Sequence, residues 1–264
     1  MGTDIKSKLS KELSHTVERA YEARMLKVVK RGPVPMHLAI IMDGNRRWAE
    51  AFGKKGIEGH KEGKSKLEEV MEWCREVGIK VLTVYAFSTE NVRRDEEEVE
   101  ALMELFIQSF RELAKDERVH RYKIRVRVIG DRSMLPEQVL EAIKEAEDAT
   151  KDYDSYFFNL AVAYGGREEI VEALKKIASD VRDGVVDIED INEELVSKYM
   201  YTADLPDPDL ILRTSGEIRI SNFLLWQLAY SELYFADVYW PGFRKIDFLR
   251  AIRTYQMRKR RFGK

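Results

Sequence analysis

The most constraining feature of this chain is a stretch that lacks polar alternation. Leu38–Met42 is apolar throughout, follows His37 and ends at Asp43-Gly44-Asn45. A strand with one wet face alternates. A strand apolar at every position is covered on both faces, as in a parallel sheet between helices. Strand-like runs recur at Lys80–Phe87, Ile124–Ile129, Tyr156–Ala163, Leu210–Leu212 and Leu233–Phe235. Segments of helical spacing lie between them. From Gly59 to Val77 the apolar residues Leu67, Val70, Met71, Cys74 and Val77 share one face, and Gly78 supplies a stop. Further helices are read over Glu96–Ala114, from Pro136, from Gly165-Gly166 and from Lys245 onward. Strand and helix alternate about six times, which predicts an α/β fold. The expected form is a single domain with a central, mainly parallel six-stranded sheet flanked by helices.

Ahead of this body, residues 8–30 read as an amphipathic helix, with Leu9, Leu13, Val17 and Tyr21 repeating every fourth position. Gly32-Pro33-Val34-Pro35 breaks it. The expected division is therefore an N-terminal helix over 1–32 and the α/β body over 33–264.

Composition excludes several classes. With 45 Lys and Arg against 47 Asp and Glu, the net charge of −2 gives no global pull toward nucleic acid. Any anion site must be local. The single cysteine, Cys74, rules out a disulfide framework. Leu38–Met42 is far short of the roughly 20 residues that span a bilayer, and Met1–Ser10 has no apolar signal core. A soluble cytoplasmic protein is expected. Four Gln, five Asn and 35% charged residues match the composition of thermophile proteins.

In open α/β sheets, ligands bind beyond the carboxyl ends of the strands. There Asp43 is followed by Gly44, which lets backbone amides approach an anion, and by Arg46 and Arg47, whose forks match phosphate oxygens. Asp43 would repel a bare phosphate, so a bridging Mg²⁺ is expected. The competing reading makes Asp43 a helix cap and leaves the arginines solvated. Ser88–Arg94 and Arg213–Asn222 are two further polar loops at strand ends, the second a plausible anion cradle. Glu232 lies in an apolar stretch and needs a partner, either a metal or an arginine. His60 is a structural residue or a proton carrier. Arg258–Arg261 reads as a solvated helix end or a local anion clamp. Phe87, Met103, Phe106, Phe157 and Phe158 are core by default, and some could line an apolar tunnel.

Five segments taken together resemble the cis-prenyltransferases, also called undecaprenyl or Z-type polyprenyl diphosphate synthases. They are HLAIIMDGNRRWA (37–49), the glycine-rich Gly56–Gly63, VYAFSTENVRR (84–94), AYGGREEI (163–170) and RTSGEIRISNFLLWQLAYSELYF (213–235). They come in the family's order and span about residues 37–264. The resemblance implies a homodimer with an apolar product tunnel. It would condense isopentenyl diphosphate onto geranylgeranyl or farnesyl diphosphate to make a long cis-polyprenyl diphosphate, the precursor of a lipid glycosyl carrier. It implies Asp43, Ser88, Asn91 and His60 as catalytic residues, and Asp43 with Glu232 as carboxylates for Mg²⁺. It places Gly44, Asn45, Arg46, Arg47 and Trp48 at the allylic diphosphate, Glu90 and Arg94 in the catalytic loop, and Arg213, Arg219 and Ser221 at isopentenyl diphosphate. Arg261 and Gly263 belong to a tail motif that reaches the partner's site.

The chain departs from many bacterial members at Arg46 (there Gly), Gly56 (there Arg) and Val92 (there Trp). Arg46, Lys54 or Lys55 would replace the missing charge. The N-terminal helix would pack on the body or lie on a membrane surface near the product. The thermophile-like composition suggests an archaeal member that prefers geranylgeranyl diphosphate, with Ala86 leaving room at the tunnel mouth. Two competing functions are a non-catalytic partner subunit, against which Asp43 and Glu232 are both intact, and a haloacid-dehalogenase phosphatase, which needs an aspartate where Asn45 stands.

Overall fold

The computed structural model describes residues 18–258. A helix over residues 18–29 (α1) leads to strand β1 (His37–Ile41), then α2 (Asn45–Ala51), α3 (Gly56–Val77) and β2 (Val81–Ser88). α4 (Glu96–Leu113), α5 (Glu117–Arg121), β3 (Ile124–Ile129), α6 (Glu137–Thr150) and β4 (Tyr156–Tyr164) follow. The rest comprises α7 (Gly166–Arg182), α8 (Glu193–Lys198), β5 (Leu210–Arg213), β6 (Glu232–Phe235) and α9 (Lys245–Met257). The strands form one six-stranded sheet in the order β3-β4-β2-β1-β5-β6. All five pairings are parallel. The expected fold is borne out.

The continuous apolar runs have the predicted cause. Every residue of β1 is buried. One face of the sheet carries the larger core, where Ile40, Val84 and Phe158 meet Val70, Phe110, Val139 and Phe248. The other face carries a smaller cluster with Ala39, Tyr164, Phe223 and Leu224. Helix ends follow local chemistry: Gly78 terminates α3 at φ 96°, and Asp95 caps α4 by accepting from the amides of Glu97 and Glu98. α3 begins three residues earlier than read, and Pro136 caps α6 rather than opening it. α5 and α8, of five and six residues, are too short to show a period.

Within α1, Val29 is fully buried and Met25 and Leu26 pack on the core, while Tyr21 is 44% exposed. The inward stripe is therefore not the one that Tyr21 was expected to continue. Leu9, Leu13 and Val17 lie outside the described residues. Among the described residues, no helix is long and apolar enough to cross a membrane.

β1 sits at the centre, where the strand order reverses between β2 and β5. Asp43 follows β1, Ser88 ends β2 and Arg213 ends β5. All three loops therefore open on the same edge of the sheet.

Candidate active site

Asp43 is fixed from two sides. Its backbone carbonyl accepts from the Thr214 hydroxyl at 2.7 Å and from the Trp240 amide at 3.0 Å. Its carboxylate accepts from Arg213 Nη2 at 2.7 Å and from Arg47 Nη2 at 3.1 Å. Burial pushes the Asp43 carboxyl up, but Arg213 and Arg47 outweigh it and hold it below the usual carboxylate range. The residue that caps α2 is Gly44, at φ 103°, with no side-chain cap. The competing reading of Asp43 as a helix cap therefore fails. A Cβ on Gly44 would lie 2.8 Å from the Tyr239 ring, so the turn needs glycine on both counts.

Arg213 is 4% exposed and organises the second cradle from within. Its Nη1 donates to the Arg219 carbonyl at 2.5 Å and to Ser221 Oγ at 2.8 Å, while its Nε is buried without a partner. The loop bends sharply, with positive φ at Ser215, Gly216, Ser221, Asn222 and Leu224. Asn222 was not anticipated. Its Oδ1 accepts from the Arg167 amide at 2.9 Å and its Nδ2 donates to Glu168 at 3.0 Å, which ties this loop to the start of α7. Glu217 was also missed. It accepts from Arg47 Nη1 at 2.9 Å and from Arg219 Nη1 at 2.5 Å, joining the arginines of two loops.

The third loop supplies a 3₁₀ turn over Thr89–Arg93. Ser88 and Asn91 close it reciprocally: the Asn91 amide donates to Ser88 Oγ at 3.3 Å and the Ser88 amide to Asn91 Oδ1 at 3.0 Å. Arg94 pairs with Glu98 at 2.9 Å. Glu98 also draws Arg46 to 3.6 Å and His60 Nε2 to 3.7 Å. His60 Nε2 is buried with no hydrogen-bond partner. Burial and the nearby Arg94 lower the His60 pKa, so the ring is neutral at pH 7.

Asp43, Asn45, His60, Ser88, Glu90, Asn91, Arg94, Arg213, Arg219 and Ser221 thus line one cleft. Gly59 and Gly63 let α3 approach α2: a Cβ on either would come within 2.4 Å of an Asn45 oxygen. A second cavity, about 250 Å³, runs between α3 and α4. It is lined mainly by apolar side chains such as Leu67, Met71, Leu105, Phe106 and Leu113. It reaches from His60 to Arg75, about 22 Å along α3 at roughly 1.5 Å per residue. Cleft and cavity share Met42, Asn45, His60, Ala86 and Leu102.

Three expected side chains of α2 stand apart from the cleft lining. Trp48 packs on Phe52 at 4.9 Å between ring centroids, with the Lys54 ammonium over its ring. Arg46 runs over Gly56, whose Cβ position lies 3.7 Å from Arg46 Cγ, and so brings its charge toward Glu98 from that side. Arg47 reaches the cleft through Asp43 and Glu217.

Glu232 stands apart from Asp43 within one chain. It begins β6 in register with Leu210, which pairs with Leu38 at the opposite end of β1. Along the strands it is five residues below Asp43, about 16 Å at roughly 3.3 Å per residue. Its carboxylate accepts from Arg258 Nη1 at 2.7 Å. The arginine partner is the one observed, and one chain does not bring Glu232 and Asp43 to a common ion. Arg261 and Gly263 lie outside the described residues.

The family model of undecaprenyl diphosphate synthases matches residues 41–263. The chain belongs to this family. The cis-prenyltransferase is 60% identical over 244 residues to a Pyrococcus abyssi protein named tritrans,polycis-undecaprenyl-diphosphate synthase (geranylgeranyl-diphosphate specific), covering 92% of each chain. A protein of the same name from Methanocaldococcus jannaschii is 56% identical over 250 residues, 94% of this chain and 89% of that one. Among solved structures, lavandulyl diphosphate synthase from Lavandula x intermedia, in complex with dimethylallyl diphosphate, superposes with a TM-score of 0.82. It is 39% identical over 88% of this chain and 99% of that one. These findings bear out the family and enzyme class expected from the five segments. The enzyme is a cis-prenyltransferase, whose reaction adds isopentenyl diphosphate to an allylic diphosphate. The archaeal relatives fit its thermophile-like composition.

Proposed function

We propose that this enzyme starts from geranylgeranyl diphosphate and builds a long cis-polyprenyl diphosphate, with the diphosphates in the cleft and the prenyl chain in the cavity. One observation carries the reading: a polar, arginine-bearing cleft opens directly into an apolar cavity through shared walls at Asn45, His60, Ala86 and Leu102. That pairing suits an amphiphile with an anionic head and a hydrocarbon tail.

In this reading Asn45 and Arg47 hold the allylic diphosphate beside Asp43. Arg46 provides the charge that Gly56 does not. Arg213, Arg219 and Ser221 hold isopentenyl diphosphate. Ser88, Glu90, Asn91 and Arg94 form the side that closes over both. The allylic carbon–oxygen bond breaks, its electron pair leaves with diphosphate, the isopentenyl double bond attacks the carbon, and the resulting cation loses a proton from the isopentenyl unit to a diphosphate oxygen, which restores a double bond. Arginine forks aimed at the departing oxygens stabilise charge that develops in the transition state. The neutral His60 orients by hydrogen bonding rather than by charge.

The donor set fits Mg²⁺ as an ion shared with substrate. No group of three metal-ligating side chains occurs among the described residues. Asp43 supplies one carboxylate, and phosphate oxygens with water would complete an octahedron. Such an ion would stabilise the leaving diphosphate.

β6 is an edge strand with partly exposed Leu233 and Tyr234, and it begins two residues after Tyr230, at 79% exposure. This apolar edge supports a homodimer. The deciding experiment incubates the enzyme with labelled isopentenyl diphosphate, Mg²⁺ and either starter. Label should enter long cis-polyprenyl products, faster from geranylgeranyl diphosphate. No extractable labelled product from either starter would refute the reading. Sedimentation at the same concentrations should report a dimer.

A further inference from the structure

We propose that the growing chain leaves the cavity through the seam between α3 and α4, and that ion pairs across this seam form a latch that sets product length. The proposal rests on the elongation reading above. A cavity of about 250 Å³ is smaller than the roughly 300–1,000 Å³ that encloses drug-sized ligands. A polyprenyl chain of the undecaprenyl kind, the product for which the relatives are named, does not fit while the walls stay closed.

The walls differ in how they can part. The sheet side is solid core: Phe158 is 2% and Leu160 5% exposed. On its other side α4 packs into the main core through Leu102 and Phe110, together with Val139 and Ile143 of α6. The outer rim between α3 and α4 is different, because charged side chains bridge it. Lys64 on α3 donates to Glu112 on α4. One turn further along α3, Glu68 accepts from Arg118 Nη2 of α5 at 3.1 Å. Both bridges are held in place from behind. Gln108 Nε2 donates to Glu112 at 2.8 Å, and Asp116 accepts from Arg118 Nη2 at 2.6 Å and Nε at 3.1 Å.

Beneath the bridges lie Leu67, Met71, Leu105 and Leu113, flexible side chains that can re-pack around a tail. The side chains of the pairs are 26–48% exposed. Solvent-exposed pairs are weak and re-form readily. They therefore suit a latch that a lengthening tail can force open, and resistance at the latch is what ends growth.

The test compares product lengths by mass spectrometry at equal turnover. In the Lys64→Ala, Glu68→Ala double variant, the mean product should lengthen by at least one isoprene unit. KM for both substrates should stay within twofold, since neither residue lines the diphosphate cleft. Glu68→Arg alone should also lengthen the product, and adding Arg118→Glu should restore the wild-type distribution. A salt series on the wild-type enzyme needs no substitution. Raising salt from 0.1 to 1 M shortens the screening length from about 10 to about 3 Å, and products should lengthen. Unchanged lengths in the double variant, the single swap and the salt series overturn the latch while leaving elongation intact. Absence of any product from the wild-type enzyme overturns both.

Discussion

The two ends of β1 each carry an ionisable group, buried at one end and half-buried at the other, and the groups are held in opposite ways. At the amino end, His37 is fully buried. Its Nδ1 meets the Pro206 carbonyl at 2.7 Å, so that nitrogen carries the proton. Its Nε2 then accepts from the Thr83 hydroxyl at 2.8 Å, and Thr83 Oγ1 in turn accepts from Asn159 Nδ2 at 3.0 Å. Every side-chain polar atom of His37, Thr83 and Asn159 is bonded, Asn159 Oδ1 accepting from Arg127 Nε at 3.3 Å, and the ring is neutral. At the carboxyl end, Asp43 is ionised and faces more cation than it can neutralise. Arg213 and Arg47 both bond it, and Arg213 Nε is left without a partner. A closed, neutral network stabilises a fold. An open network with surplus donors is prepared for an anion that the protein does not itself supply.

The largest effect should come from the open end. Asp43→Ala should lower kcat at least a hundredfold, a loss of about 2.7 kcal/mol or more in transition-state stabilisation, while substrate KM values change little. Retention of more than a tenth of the rate in steady-state assays would remove Asp43 from the chemistry. It would also erase the contrast with His37.

The closed end should show itself in stability instead. Burial pushes the His37 pKa down to about 4 from 6.5. Between those values the unfolded chain binds the proton and the folded chain does not, so stability falls as pH drops through that window. The full loss, reached below about pH 4, is about 3 kcal/mol at roughly 1.4 kcal/mol per pH unit. The depressed Asp43 carboxyl contributes its stabilisation above its unfolded value of 3.8, outside most of this window. In denaturant titrations from pH 7 to 4, wild-type stability should decline more steeply than that of His37→Gln. Parallel curves would mean that His37 is already charged in the folded protein.

How much of this was legible in sequence depends on what each residue must satisfy. The central strand β1 showed as an apolar run because burial on both faces removes alternation, while the edge strand β3 alternates through Arg125 and Arg127, and loop positions at strand ends located the cleft. Residues that act through partners distant in sequence did not show. Glu217 reads as one more loop acid, yet it joins Arg47, 170 positions away, to Arg219. Glu169 reads as helix surface in GREEI. It is 2% exposed and accepts from the Tyr201 amide, Gln227 and the Tyr164 hydroxyl, in a network beneath the second cradle. Glu232 stands at the amino end of β6 and Asp43 beyond the carboxyl end of β1, a separation that a motif does not reveal because it lists residues without saying which end of a strand each occupies. Register decided that.

A smaller effect concerns the border between cleft and cavity. Ala86 sits at a register shift in the β2–β4 pairing and lines both spaces. Geranylgeranyl diphosphate exceeds farnesyl diphosphate by five carbons, for which about 0.8 kcal/mol per buried methylene sets a ceiling near 4 kcal/mol. Ordering the longer tail cancels part of that, so about a tenfold preference in kcat/KM is expected. Ala86→Leu would fill the passage and should cut the preference to threefold or less. An unchanged ratio in paired assays would move starter selection deeper into the cavity.

The smallest effect belongs to the C-terminal tail. Arg258 donates to Glu232 and to the Leu233 carbonyl, so the chain is tied at the amino end of β6, below the cleft. Arg261 lies three residues beyond it. Fully extended, three residues span about 10 Å at roughly 3.3 Å each. The cleft of the same chain lies farther away, since the rise along the strands alone is about 16 Å. A cleft across the β6 edge in a dimer is the alternative target, and Arg260 and Arg261 supply the charge for it. Deleting residues 261–264 should raise KM for isopentenyl diphosphate about threefold and leave KM for the starter unchanged. The increase should disappear when a β6-edge substitution such as Tyr234→Glu makes both forms monomeric, because the tail then has no second cleft to serve. A KM increase that persists in the monomer would assign the tail to its own chain, and no increase in the proposed dimer would leave Lys259–Arg261 without a part in substrate binding.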